Sequence, residues 1–151
     1  MKIVLQRVNN ASVSVDGEVV GSIDKGYVVF LGVGQGDDKA VVKKMVDKIF
    51  KLRIWPDSSG KTNLAIKDTE NGGEILVVSQ FTLMADLSSN RPSFSKNAPP
   101  ELARELYEYF IECCKGKFAK VSSGRFAAHM HVNSANDGPF TLVLDSGVKH
   151  G

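Results

Sequence analysis

MKIVLQRVNNASVSVDGEVVGSIDKGYVVFLGV, residues 1–33, is typical of consecutive β-strands and predicts a sheet at the centre of the fold. Asp16-Gly17 stands between two runs of alternating apolar residues, which is a strong hairpin signal. The run 27–33 is instead continuously apolar, as expected of a strand with both faces buried. We therefore predict strands over 1–8, 11–15, 18–23 and 27–33.

Two amphipathic helices are predicted to pack on this sheet. The first covers roughly 39–53, where apolar residues recur every three or four positions, and Asp37 or Asp38 can cap its first turn. The second covers 101–115 and follows two prolines, which suit the first turn of a helix. Further strands are predicted over 63–66, over 74–78, near 126–133 and over 139–145. The pattern predicts a single mixed α/β domain over 1–151, in which two helices cover largely antiparallel sheets.

The composition restricts the cellular setting of the protein. Its net charge of +2 permits a phosphate-bearing partner but does not indicate one. The two cysteines, Cys113 and Cys114, are adjacent in a predicted helix, so we expect both to be reduced. No apolar run approaches the roughly 20 residues of a membrane span, and the first residues lack the apolar core of a signal peptide. These features predict a cytoplasmic protein without membrane contact.

Two segments carry unusual residues where a plain strand or turn would suffice. Ser79-Gln80-Phe81-Thr82-Leu83 extends an apolar strand with three polar side chains. It is either a strand that emerges at the sheet edge or a strand end whose polar groups face a ligand. Asn136-Asp137-Gly138-Pro139 is either an ordinary hairpin turn or a functional turn, since X-Pro bonds have appreciable access to the cis isomer. The residues alone leave both alternatives open.

The familiar sets of catalytic and metal-binding side chains are missing from the sequence. His129 and His131 lie two apart on a predicted strand, but no third ligand accompanies them, so we expect surface histidines and no metal site. No GxSxG motif, P-loop or dinucleotide-binding glycine pattern occurs. An enzyme with this sequence would depend on backbone dipoles and on groups of its substrate, and no cofactor is indicated.

The two unusual segments resemble the signatures of the D-aminoacyl-tRNA deacylases, an SQFTL strand and an NDGPVT-type turn. The resemblance covers nearly the whole chain. It includes 6–26, Arg91-Pro92-Ser93-Phe94, Phe126-Ala127-Ala128 with Met130, and 141–146. Several separate motifs in the same order favour the functional interpretation of both segments, and the resemblance implies a β/β/α layered fold.

Two positions and one short stretch depart from the usual pattern of that family. Phe140 stands where valine is common, His129 stands where an acidic residue is common, and the stretch 133–135 is more polar than its usual counterpart. Gly138 and Pro139 are both present, so the resemblance implies an unchanged class of substrate.

The resemblance implies a homodimer with active sites at the interface. The Gly138–Pro139 bond is implied to be cis, with both carbonyl oxygens projecting into the partner's site. There they would hold the α-amino group of the substrate and leave no room for an L side chain. Glycine, which has no side chain, is expected to be accepted as well. Arg7 is a candidate to fix this turn by binding its carbonyl groups.

The implied reaction is hydrolysis of the ester between a D-amino acid and the terminal ribose of tRNA. Backbone N–H groups around Gln80, Phe81 and Thr82 are suited to stabilise the oxyanion. The neighbouring ribose 2′-hydroxyl is implied to activate the water. A nucleophilic Thr82 hydroxyl ranks second, because no adjacent base is evident.

The remaining roles concern substrate binding. Ser79 and Gln80 are implied to shape the pocket, while Phe81, Phe126 and Met130 are implied to enclose the adenine.

Two rival functions stay open at this point. One is a non-catalytic nucleic-acid-binding module on the same fold, and the other is a deacylase tuned mainly to glycyl-tRNA. Arg91 and the lysines of the first predicted helix would suit tRNA phosphates, although solvated surface charge explains them equally well.

Overall fold

The computed structural model describes residues 1–150, and its main element is a six-stranded sheet. The strands are β1 Lys2–Val15, β2 Glu18–Ile23, β3 Gly26–Gly32, β4 Trp55–Pro56, β5 Thr62–Leu64, β6 Glu74–Ser79, β7 Lys120–Ser123 and β8 His131–Asp145. The helices are α1 Lys39–Lys51 and α2 Pro100–Lys115, with short 3₁₀ helices at Ile66–Asp68 and Phe81–Met84. Strands β4 and β5 form a separate pair. The predicted mixed α/β class with two helices is confirmed.

Strand β1 organises the antiparallel part of the sheet. One of its edges pairs with β3 in its first half and with β2 in its second half, while β8 runs along the other edge. The prediction of separate strands over 1–8 and 11–15 is therefore wrong, because β1 continues through the junction. The predicted strands near 126–133 and over 139–145 likewise merge into β8, and 126–130 lies outside it. In both places the strand continues because β1 and β8 pair with each other along most of their length. The register of this pairing shifts on either side of Val8.

The other half of the sheet is parallel. Strand β6 pairs in parallel with β3 on one side and with β7 on the other. Parallel neighbours need long crossover connections, and α1 and α2 lie in those two connections. The polar sequence of β7, Lys-Val-Ser-Ser, gives little strand signal, and this strand was not predicted.

The two helices bury one face each in the main core. The Asp38 carboxylate caps α1 by accepting the Val41 N–H at 2.9 Å. The side chains buried from the helices are Val42, Met45, Val46, Ile49, Leu106, Tyr107, Phe110 and Cys114. Both cysteines are free, and burial raises the pKa of the Cys114 thiol. Within residues 1–150, no helix is long and apolar enough to cross a membrane.

The sheet is curled, so that its two ends approach each other. The Ser22 N–H of β2 donates to the Ser122 hydroxyl of β7 at 3.1 Å. At Gly21 a Cβ atom would lie 2.5 Å from the Ser123 carbonyl oxygen, so this approach requires glycine. A second core fills the curl with Val8, Ala11, Val13, Ile23, Val28, Leu76 and Val78. Because β6 and β7 are paired neighbours, the carboxyl end of β6 lies close to the segment that follows β7.

Candidate functional site

Strand β6 ends at Ser79, and the chain turns at once into the 3₁₀ helix Phe81–Met84. Of the two interpretations of 79–83, the strand that continues to the sheet edge is therefore wrong, because β6 ends at Ser79. The Gln80 N–H still donates to the Leu31 carbonyl of β3, at 2.9 Å. As the first residues of a helix, Phe81 and Thr82 have no helical acceptor for their N–H groups, and neither N–H donates a hydrogen bond within residues 1–150. Two adjacent backbone donors are thus free at the end of β6.

A cavity of about 1040 Å³ opens at the end of β6, and Phe81, one of the two donor residues, lines it. Ser79, Gln80 and Phe81 line one side of it, and Phe126 and Met130 line another. The remaining lining residues are Gln35, Gly36, Val78, Phe94, Asn97, Ala98, Pro99, Pro100, Leu102, Ala103, Ala127, Ala128, His129 and Val132. Five of the predicted site residues, from two segments far apart in sequence, thus share one cavity.

Aromatic side chains stand at two places on the cavity wall. The Phe126 ring lies 5.6 Å from the buried Tyr107 ring, and the guanidinium carbon of Arg104 lies 4.8 Å from its centroid. Phe81 is 58% exposed and contacts Phe94 edge to face, with ring centroids 5.0 Å apart. Exposed aromatic faces beside a cavity suit the binding of a flat ring.

The turn that carries Phe126 and Met130 has a special backbone. Ala127 has a φ of 64°, in the left-handed region that few non-glycine residues adopt. Gly124 lies directly under Met130, where a Cβ atom would stand 2.5 Å from the Met130 sulfur. Glycine at 124 therefore lets Met130 seat against the sheet and face the cavity.

The polar side chains of the site offer little acid–base chemistry. The Thr82 hydroxyl accepts a hydrogen bond from the Gln80 side-chain amide, and Thr82 does not line the cavity. Within the described residues no titratable side chain hydrogen-bonds to Thr82. His129 does line the cavity, and its ring packs edge to face on His131, with centroids 5.2 Å apart. Residues 1–150 contain no group of three or more His, Cys, Asp or Glu side chains that could hold a metal.

The Gly138–Pro139 turn lies within β8, away from the cavity of its own chain. Its peptide bond is cis, and both residues are exposed. The Asn136 side chain supports the turn, because its carbonyl oxygen accepts the Phe140 N–H at 3.0 Å and its amide donates to the Thr141 hydroxyl at 2.9 Å. The turn is thus presented on the surface in a fixed shape.

Arg7 holds the same turn from β1 with a guanidinium that is only 11% exposed. Its Nη1 donates to the Ile54 carbonyl at 2.6 Å, and its Nε and Nη2 donate to the Asp137 carbonyl at 3.3 and 3.2 Å. The guanidinium carbon also lies 4.6 Å from the centroid of the Phe140 ring. Arg7 therefore binds the carbonyl that precedes Gly138, in its own chain. Phe140, one of the departures from the family pattern, contributes a ring to this arrangement.

Local sequence patterns did not mark several residues of the cavity wall. Gln35, Gly36 and the first turn of α2 carry no motif, and His129 was expected only as a surface residue. The one available signal was the proline pair at 99–100, which starts α2 at the cavity.

Known proteins match this chain over nearly its full length. A model of the D-Tyr-tRNA(Tyr) deacylase family matches residues 4–145. The D-aminoacyl-tRNA deacylase of Thermosipho africanus (strain TCF52B) is 50% identical over 147 residues, 97% of each chain. That of Lactobacillus acidophilus (strain ATCC 700396 / NCK56 / N2 / NCFM) is 50% identical over 146 residues, 96% of this chain and 99% of the other. A solved structure described as c-Myc DNA Unwinding Element Binding Protein has a TM-score of 0.91 and 40% identity, covering 98% of this chain and 100% of that one.

Proposed function

Because this chain belongs to the D-Tyr-tRNA(Tyr) deacylase family, whose members are ester hydrolases, we propose that it hydrolyses D-aminoacyl-tRNA in the cavity at the end of β6. One observation carries the assignment of the site. Ser79, Gln80 and Phe81 meet Phe126 and Met130 around a single cavity, next to two free backbone N–H groups.

The cavity suits the aminoacylated end of a tRNA in size and lining. Its volume of about 1040 Å³ lies just above the usual range for small-molecule sites, roughly 300–1,000 Å³. Phe81, Phe126 and Met130 offer apolar surfaces on which the terminal adenine would stack. The ester would then lie toward Ser79 and Gln80, at the end of the strand.

The free N–H groups of Phe81 and Thr82 would stabilise the oxyanion that forms when water attacks the ester. Fixed donors aimed at developing charge are among the strongest catalytic devices, because they need no rearrangement during the reaction. The Gln80 N–H does not share this role, since it already donates to Leu31. The proposed donors to the oxyanion are therefore the N–H groups of Phe81 and Thr82 alone.

Water activation falls to the 2′-hydroxyl of the terminal ribose. Thr82 lacks a base to deprotonate it, as described above, and a hydroxyl without a base is a weak nucleophile. Among the cavity residues that the structure describes, His129 is the one titratable side chain, and its ring is exposed and packed on His131. The substrate hydroxyl adjoins the scissile ester itself, so it needs no positioning by the protein. The proposed reaction uses neither metal nor cofactor.

The active form is proposed to be a homodimer in which each Gly138–Pro139 turn enters the partner's cavity. The turn is exposed, fixed by Arg7, and absent from the cavity of its own chain. Strand β8, which carries it, pairs only with β1 among the described strands, and Val143 on β8 is 72% exposed. An unpaired strand edge with exposed apolar residues is open to association with another chain.

Selection of the D form would follow from carbonyl oxygens of the partner's turn. They would accept hydrogen bonds from the α-amino group and occupy the space that an L side chain needs. Glycine has no side chain to exclude, so glycyl-tRNA is a second proposed substrate. Charged tRNA is used in translation, and we propose that the reaction takes place in the cytoplasm.

A non-catalytic nucleic-acid-binding module is the alternative function. It is favoured by the solved structure described as a DNA unwinding element binding protein, which is 40% identical to this chain. Against it stand the relatives named D-aminoacyl-tRNA deacylase, which are 50% identical over nearly the whole chain.

The proposed function predicts a ranking of three substrates. D-Tyr-tRNA and Gly-tRNA should be hydrolysed, and L-Tyr-tRNA should react at least about 100-fold more slowly because its side chain meets the partner's turn. Release of labelled amino acid measures all three rates. Equal rates for D-Tyr-tRNA and L-Tyr-tRNA would contradict the selection model, and tRNA binding without turnover would favour the alternative function.

Thr82→Ala should keep its single-turnover rate within about tenfold of the parent chain, because the backbone N–H remains. Thr82→Ser retains the hydroxyl and is the matched control. If Thr82 were the nucleophile, the alanine variant would lose about 10⁴-fold or more and the serine variant would recover much of that loss.

A substrate with hydrogen in place of the ribose 2′-hydroxyl should bind but resist hydrolysis, since the activating group is gone. His129→Gln should hydrolyse the normal substrate at a rate within a few-fold of the parent chain. Rapid turnover of the 2′-deoxy ester would mean that the protein, not the substrate, activates the water. The same conclusion would follow if His129→Gln lost about 10²–10⁴-fold in rate, the loss expected from removing a general base.

A heterodimer of two differently inactivated subunits tests whether the turn acts in the partner's cavity. Gly138→Ala distorts the turn, because Gly138 has a φ of 130° and an added Cβ would lie 3.1 Å from the Phe140 nitrogen. Phe126→Ala removes the ring on which the adenine is proposed to stack. Each homodimer should be nearly inactive. A heterodimer isolated with two tags should regain about half of the parent activity, since one of its two sites is then intact. An inactive heterodimer, or a chain that remains monomeric while active, would refute the arrangement.

A further inference from the structure

Arg104 is an exposed arginine at the rim of the cavity, and neither the motifs nor the proposed reaction uses it. It lies in the second turn of α2, directly after Leu102 and Ala103, which line the cavity. Its guanidinium carbon is 4.8 Å from the centroid of the Phe126 ring. The cation is thus held beside the proposed adenine support.

The hydrogen-bonding edge of this guanidinium is free. Within residues 1–150, Arg104 forms no ion pair and its side chain donates no hydrogen bond, although Glu101, Glu105 and Glu108 lie on the same helix. A guanidinium that stacks on a ring uses its flat face, while its N–H donors point outward in the plane of the group. That geometry suits the planar, two-point binding of a phosphate.

The Phe126 ring that supports Arg104 is itself fixed from the core. Tyr107, one turn further along the buried side of α2, contacts the Phe126 ring with centroids 5.6 Å apart. The Tyr107 hydroxyl lies 3.4 Å from the carbonyl oxygens of Val77 and Gly124, to either of which it can donate. The position of the guanidinium therefore depends on packed elements of the fold.

We propose that Arg104 binds the phosphate on the 5′ side of the terminal adenosine. This inference rests on the proposed function, and it adds a residue that recognises the nucleic acid. In a nucleotide the 5′-phosphate is joined to its base through one ribose, so an adenine on Phe126 brings its phosphate toward the cation on the same ring. Arg104 would thereby set how far the tRNA end enters the cavity.

The kinetic test compares substrates with and without that phosphate. Arg104→Gln should lower kcat/KM for D-Tyr-tRNA about tenfold and reduce the slope of log kcat/KM against log salt by about 1. Hydrolysis of the 3′-ester of D-tyrosine with adenosine, which lacks the phosphate, should change less than about twofold. Arg53→Gln removes the same charge from a residue outside this cavity and should leave both rates unchanged.

Two kinetic outcomes would overturn the assignment. Equal losses for both substrates would mean that Arg104 only holds the Phe126 ring, and no loss for either would mean that it is an ordinary surface residue. A binding titration gives a readout without turnover: the parent chain should bind adenosine 5′-monophosphate more tightly than adenosine, and Arg104→Gln should bind the two alike. If the parent chain binds adenosine 5′-monophosphate and adenosine but hydrolyses neither D-Tyr-tRNA nor the adenosine ester, the proposed function is refuted. The titration alone would then decide whether Arg104 binds the phosphate.

Discussion

The hydrogen bond from the Gln80 N–H to the Leu31 carbonyl is the last link between β6 and β3, and the site depends on the sheet ending there. Had the strand continued, the next N–H groups would have been consumed in sheet pairing. Instead the chain enters a 3₁₀ helix, whose first N–H groups have no internal acceptor. The fold thus leaves backbone N–H donors unpaired at the end of β6, beside a cavity that can admit a ligand. In the proposed reaction the scissile ester takes the place of the missing acceptor.

Arg7 imposes a second constraint, because one nearly buried guanidinium ties three separate parts of the chain together. It extends from β1 to the carbonyl of Ile54, after α1, and to the carbonyl of Asp137, within β8. A guanidinium removed from water needs its donors satisfied, so each contact is favoured by the others. The turn at 138–139 is consequently a rigid surface feature of β8. Rigidity is what a turn needs if it is to reject a substrate by its shape in a neighbouring subunit.

Features governed by neighbouring residues were predictable from the sequence, and features governed by distant pairing were not. The Asp16-Gly17 turn has positive φ at both residues, 50° and 80°, as the hairpin signal requires. The Asp38 carboxylate caps α1 by accepting the N–H of Val41, three residues further along the chain. The continuity of β1 and β8 depends on their pairing with each other, which no local window contains. The same holds for the site: motifs marked Ser79 and Phe126, whereas Arg104 carries no motif and reaches the Phe126 ring only through the packing of α2.

The chemistry proposed for this cavity explains why its side chains give so weak a signal. Donors to the oxyanion and acceptors for the amino group would both be main-chain groups, which every residue carries and whose position depends on backbone conformation alone. What the sequence must specify is then the conformation: a strand that stops at Ser79, a glycine at 138 with positive φ, and an arginine that fixes the preceding carbonyl. Such requirements select for glycine, proline and turn-forming residues, which also occur in ordinary loops. A site of this kind is recognised from several motifs in a fixed order, and only the folded structure reveals which backbone groups are left free.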